Sequence, residues 1–189
     1  TGTVDFKRYA TIDCTGDFDE ESNVPLDGNG IAESSSFTTV PGFLSYAVHY
    51  DGDPNYEESY NHEGGELCEP LTITQLQSGV TTHVHDAAHS NITGSSVDVG
   101  TLVHDNAVVT QNGPVPTGDV TFALFNNISC AGSPTSSEGP VALVAGQAES
   151  TPFAPVVGGY GYQVSYSGDE HYSGSVGECE PFTIIRLDS

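Results

Sequence analysis

The sequence predicts an all-β chain of two β-sandwich units in tandem, the first lacking its opening strands. Three observations carry that expectation. Apolar residues alternate with a period of two along much of the chain, and no 11-residue window shows the i, i+3, i+4, i+7 spacing of an amphipathic helix. The 189 residues include 22 Gly and 11 Pro but only 15% charged residues, a composition of short strands and many turns. The third observation is an internal repeat. TGTVDFKRYATIDCTG from Thr1 aligns without a gap on TGDVTFALFNNISCAG from Thr117.

The repeat register holds well past that segment. Gly30, Ala32, Ser34, Tyr46, Tyr50, Gly52, Asp53 and Tyr56 fall on Gly146, Ala148, Ser150, Tyr162, Tyr166, Gly168, Asp169 and Tyr172. ELCEPLTI around Cys68 then matches GECEPFTI around Cys179, after a five-residue insertion within YEESYNHEGGE. Residues 77–116 have no counterpart in the first copy, so the expected units are 1–76, with closing strands only, and 77–189, complete. In the complete unit, strands are expected near 80–93, 99–111, 118–126, 140–150, 159–167 and 178–187, divided by Gly, Pro, Asn and Asp clusters. One strand shows two faces plainly. Leu44, Tyr46, Val48 and Tyr50 alternate with Ser45, Ala47 and His49, as Tyr160, Tyr162, Val164 and Tyr166 alternate with Gly161, Gln163 and Ser165, so the bulky face is expected to meet a second sheet.

Charge excludes whole classes of partner. Three Lys+Arg against 26 Asp+Glu give a formal charge of -23, which repels nucleic-acid phosphates and anionic lipid. Cations and water are the expected surface partners. No apolar run approaches the roughly 18 residues that span a bilayer, so membrane insertion is not expected. Thr1 is not an initiator Met, and the chain is read as a processed product or a piece of something longer.

The series VHDAAHSNITG, GTLVHDNAVVT, PTGDVTFALF, a following Cys, GYQVSYSGDEHYSGS and GECEPFTI resembles the tandem bacterial Ig-like repeats of very long secreted or surface-anchored proteins. The resemblance implies an Ig-like β-sandwich serving as a spacer, stalk, adhesin or filament module, and it carries over no catalytic residues. The first unit departs from the pattern in its missing front and in Arg8, which stands where the second unit has Leu124.

Four cysteines allow three pairings. Repeat equivalence makes Cys14 with Cys68 and Cys130 with Cys179 the economical one, and disulfides place the chain in an oxidising, extracellular or cell-surface setting. A zinc site is the rival reading, weakened by the lack of CxxC spacing.

Several side chains invite a ligand. His83 and His85 share a strand face and could reach one metal ion, with a carboxylate or His104 as third ligand; the bland reading is that the His and Asp of the twice-occurring Val-His-Asp triplet hydrogen-bond across a sheet. Asp51, Asp53, Asn55 and Glu57 suggest calcium, since the first three have 1, 3, 5 spacing. Tyr56 in place of the loop glycine and His62 in place of the closing Glu exclude an EF-hand, however, and Asp169 in the equivalent turn points instead to a turn-shaping role. Asn91 and Asn127 head N-x-Ser/Thr sequons for glycosylation. No cofactor is expected beyond a possible calcium ion.

These readings converge on a non-enzymatic extracellular structural repeat module of a filament, stalk or surface layer. Its partners would be other copies of itself or adjacent repeats; the strands the first unit lacks either belong to an upstream segment cut away or left out, or come from a neighbouring copy. The alternative is an adhesin or carbohydrate-binding module, with glycans or divalent cations as partners and Tyr60, His62 and the acidic insertion at 57–66 as its loop.

Overall fold

The computed structural model describes residues 1–61, 68–110 and 112–187. The described residues are all-β and form two compact units, Thr1–Thr74 and Gln75–Ser189. The boundary falls two residues before the expected one. Leu76 N donates to His171 O at 2.8 Å, and Gln75 Nε2 donates to Asp169 O at 2.8 Å, which bind both residues to the second unit.

In the first unit, β1 (Thr3–Tyr9), β2 (Phe18–Pro25), β3 (Gly42–Tyr50), β4 (Ser59–Tyr60) and β5 (Glu69–Ile73) form one antiparallel sheet. The order is β2-β1-β3-β4, and β5 also pairs with β3. Phe6 lies opposite Val48 and Arg8 opposite Tyr46, so the bulky side chains share a face. No strand among the described residues of this unit covers that face.

The second unit is a sandwich. One sheet contains β9 (Asp119–Phe125), β10 (Ser136–Ala142), β12 (Gly158–Tyr166), β14 (Glu180–Ile185) and β7 (Ser96–Asp98), with β13 (Ser175–Val176) on β12. The other has the order β11-β8-β6, from β6 (Gly79–Asp86), β8 (Val103–Thr110) and β11 (Gln147–Glu149). Val84, Val103, Ala107 and Val109 from the smaller sheet meet Val120, Phe122, Tyr162, Val164, Phe182 and Ile184 from the larger. Each Val, Ile or Phe among them contributes about 1.5–3 kcal/mol when fully buried.

Two expectations need correction. A single strand over 140–150 is in fact two strands in different sheets: β10 pairs with β9, and β11 pairs with β8. The break is a turn with Ala145 at φ 53° and Gly146 at φ 78°, which carries the chain from one layer to the other. The bulky face of β3 is also not its most buried one. Ser45 and Ala47, on the opposite face, are buried, and Ala47 packs in a small cluster with Tyr9 and Cys14, while Leu44, Tyr46 and Val48 are half-buried. The cause is local: the loop carrying Cys14 folds over the small-residue face, where Cys14 N donates to Ser45 Oγ at 2.9 Å.

Candidate functional site

Both disulfides join the residues that the repeat pairs: Cys14 with Cys68 and Cys130 with Cys179, each with Cα atoms 5.8 Å apart. No cysteine is left free for a metal. Cys14 and Cys130 share a left-handed backbone, φ 54° and 49°, so the two loops are built alike. Two bridges of this kind mark an oxidising environment.

Asp51, Asp53 and Glu57 line one groove, but among the described residues they form no group of closely spaced ligand atoms. Asp53 Oδ1 accepts hydrogen bonds from Asn55 N at 2.8 Å and Tyr56 N at 2.9 Å, and its Oδ2 accepts from Thr1 Oγ1 at 2.7 Å. Asp51 turns elsewhere. It accepts from the Thr3 hydroxyl and lies 3.3 Å from His49 Nδ1, in a group with Asp5. Asp169 repeats the arrangement of Asp53: Oδ1 accepts from His171 N and Tyr172 N, both at 2.8 Å, and Oδ2 from Thr117 N at 2.7 Å. The Gly-Asp pair therefore builds a turn in both units. Gly168 has φ 82°, and a Cβ there would stand 2.8 Å from Tyr172 O and Gly174 N, so the turn demands glycine. Burial works to raise the Asp169 pKa, but the backbone N–H donors outweigh it and hold the carboxyl down at about 2.

The histidines are sorted by strand register. His85 on β6 lies opposite His104 on β8, on the outer face of the three-stranded sheet, whereas Val84 and Asp105 point inward. His89 joins them from the following turn, which Asp86 shapes by accepting Ala88 N at 2.8 Å and Ser90 N at 2.9 Å. His89 has φ 57°, a conformation uncommon outside glycine though less so for His. Its Nδ1 lies 3.3 Å from His104 Nε2 and 3.6 Å from Glu149 Oε1 on β11. His104 is 3% exposed, and burial lowers its pKa. His83 stays outside this group. Its ring is 6.5 Å from that of His85, and its Nδ1 lies 3.7 Å from Glu180 Oε1.

Sequence reasoning gave no sign of Glu149, because it reaches the histidines through β11–β8 pairing, 45 residues from His104 in the chain. Asp105 carried a readable signal that was missed: between Val103 and Ala107, period two places it inside. His104 and Asp105 consequently face opposite sides and do not pair across the sheet. Asp105 is fully buried, and its polar neighbour is the Glu180 carboxyl, close enough to share a proton with it. Burial, then the charge of Glu180, pushes its pKa up to about 8.

Asn91 is exposed, and its Oδ1 accepts Thr93 N at 2.9 Å. Asn127 is held by its own loop, donating to Ala131 O at 3.0 Å and accepting Ser129 N at 3.1 Å. Tyr60 stacks on His49 at 4.0 Å, while His62 and the rest of the insertion to 67 lie outside the described residues.

The uncovered face of the first unit is its largest difference from the second. Tyr56 is 70% exposed and Leu71 47%, against 0% for Tyr172 and 1% for Phe182 at the equivalent positions. Arg8 lies beneath the Phe37 ring, 3.9 Å from its centroid, and pairs with Asp19 at 2.6 Å, at the edge of a groove that Phe6 and Tyr46 also line. Comparison of the chain with known protein families, with curated proteins and with solved structures finds no match.

Proposed function

We propose that the chain is a non-enzymatic extracellular structural module of the Ig-like type, built for a linear array such as a filament, stalk or surface layer. One observation carries the reading. The first unit repeats the larger sheet of the second unit, down to its disulfide and its Asp turn, yet forms a single layer whose apolar face is half exposed. An apolar sheet face gains about 25 cal/mol for each Å² removed from water, so strands of the β6–β8 kind from a neighbouring unit or copy have reason to dock there. Arg8 sets a polar boundary within that face and gives the docked strands a fixed register.

Electron microscopy and light scattering of the concentrated full-length chain test the idea. End-to-end polymers that are lost on Val48→Glu support it, and a monodisperse monomer at every concentration overturns it. A second reading, a carbohydrate-binding module, is favoured by a groove of about 610 Å³ that places Tyr56 and Tyr60 beside Asp51, Asp53, Glu57 and Glu58. Aromatic rings among carboxylates suit sugar hydroxyls. Glycan-array binding that is lost on Tyr56→Ala supports that reading.

A further inference from the structure

We propose that His85, His89, His104 and Glu149 bind one divalent transition-metal ion of the zinc class on the outer face of the three-stranded sheet. The site lies wholly within the second unit and does not depend on the array reading.

Geometry is the main argument. Each of the four residues offers a ligand atom, and the four atoms lie within 4.8 Å of one another. Bonds of about 2.0–2.1 Å in a tetrahedral zinc site put neighbouring donors roughly 3.3–3.4 Å apart. The edge from His104 Nε2 to His89 Nδ1 measures 3.3 Å, and the edge from His89 Nδ1 to Glu149 Oε1 measures 3.6 Å. Two edges of the group thus already match a central ion, and the remaining donors lie within 4.8 Å.

Hydrogen bonding alone leaves the cluster unsatisfied. The Nδ1 atom of His85 is buried without a partner. Such an orphan polar atom costs about 1–3 kcal/mol, and an ion that takes its lone pair removes that cost. His89 also holds a left-handed φ of 57°, a conformation that costs a non-glycine residue free energy.

Donor chemistry selects the ion. Three imidazole nitrogens and one carboxylate favour zinc, cobalt, nickel or copper over calcium and magnesium, which prefer oxygen. Four protein ligands leave no open position, so the site is a clamp rather than a catalytic centre. It would join β6, the turn after it, β8 and β11, a strand held to β8 by three residue pairs.

Calorimetric titration of the untagged, metal-stripped full-length chain with Zn(II) tests the proposal, with Co(II) absorption as a second readout. The expected result is one ion per chain with a Kd of about 10 μM or tighter. Co(II) should give the intense visible bands of a tetrahedral complex. His89→Ala and Glu149→Ala, both on exposed positions, should each weaken binding at least about tenfold. His83→Ala should not, and His49→Ala should not, because His49 belongs to a separate group with Asp5 and Asp51. His104→Ala is judged with a thermal melt, because that ring is buried, and the exposed variants keep the test decisive if it fails to fold. Binding weaker than about 100 μM overturns the site. So does binding that survives His89→Ala, or that is lost with His83→Ala or His49→Ala.

Discussion

Tyr172 is fully buried, whereas Tyr56, its counterpart in the repeat, is 70% exposed. Both follow a Gly-Asp turn and occupy the same place in it. The difference is the layer above them. Tyr172 also donates its hydroxyl hydrogen to Pro114 O at 2.8 Å, a residue within the stretch the first unit lacks.

Tyr172→Ala is expected to destabilise the second unit by about 3–5 kcal/mol, the range for emptying a buried aromatic site. Tyr56→Ala should cost less than about 1 kcal/mol in the isolated chain. Urea denaturation, followed unit by unit by NMR, measures both. Comparable losses would mean that Tyr56 is covered.

Each disulfide closes a loop of some 50 residues, with sequence separations of 54 and 49. The chain-entropy treatment gives about 4 kcal/mol for a loop of that size. The first unit depends on its bridge more heavily, because the compact cluster among its described residues is just Tyr9, Cys14 and Ala47 with Cys68 against it. Replacing Cys14 and Cys68 by Ser should unfold that unit while the second stays folded. Limited proteolysis reads this as cleavage confined to residues 1–74.

Asp169 links acid stability to a turn. Its folded pKa, about 2, lies below the ordinary 3.8, so its contribution is fully present above pH 4 and is lost as pH falls toward 2. Asp169→Ala should lower stability at pH 7 by about 1–2 kcal/mol, since the side chain is only partly buried and solvent weakens its charged hydrogen bonds. At pH 2 the variant and the parent should melt closer together. Thermal melts at both pH values check the sign.

Asp105 works in the opposite sense. A carboxyl whose folded pKa is raised from 3.8 to about 8 favours the folded state most at low pH, and that advantage falls away as pH climbs from about 4 to about 8. Asp105→Asn should therefore raise the melting temperature at pH 8 and change it little at pH 4. The measurement belongs in chelator, so that any ion near His104 plays no part. A lower melting temperature at pH 8 would show that the ionised carboxylate has a partner.

The repeat made both disulfides and the Asp turn readable, because each is a pair of residues whose equivalence survives any change around them. Alternation likewise marked the bulky face of β12, where Tyr160, Tyr162, Val164 and Tyr166 are all buried. Burial in the first unit was not readable in the same way. Period two divides β3 into two faces but does not say which one the Cys14 loop covers. The split of 140–150 was hidden because Ala145 takes a positive φ without being glycine. Glu149 was hidden with it: only the crossing of β11 to β8 brings that carboxylate to His89.

In the second unit, Gln147–Glu149 is a strand because β8 lies beside it, with Ala148 opposite Ala107. The counterpart in the first unit, Ile31-Ala32-Glu33, has no such neighbour and runs as irregular chain. Strand structure at these three positions thus depends on a neighbouring strand, which β8 provides in the second unit. Docking of a strand beside them is expected to move their amide exchange and chemical shifts from coil to ladder values, which NMR of the concentrated chain reads.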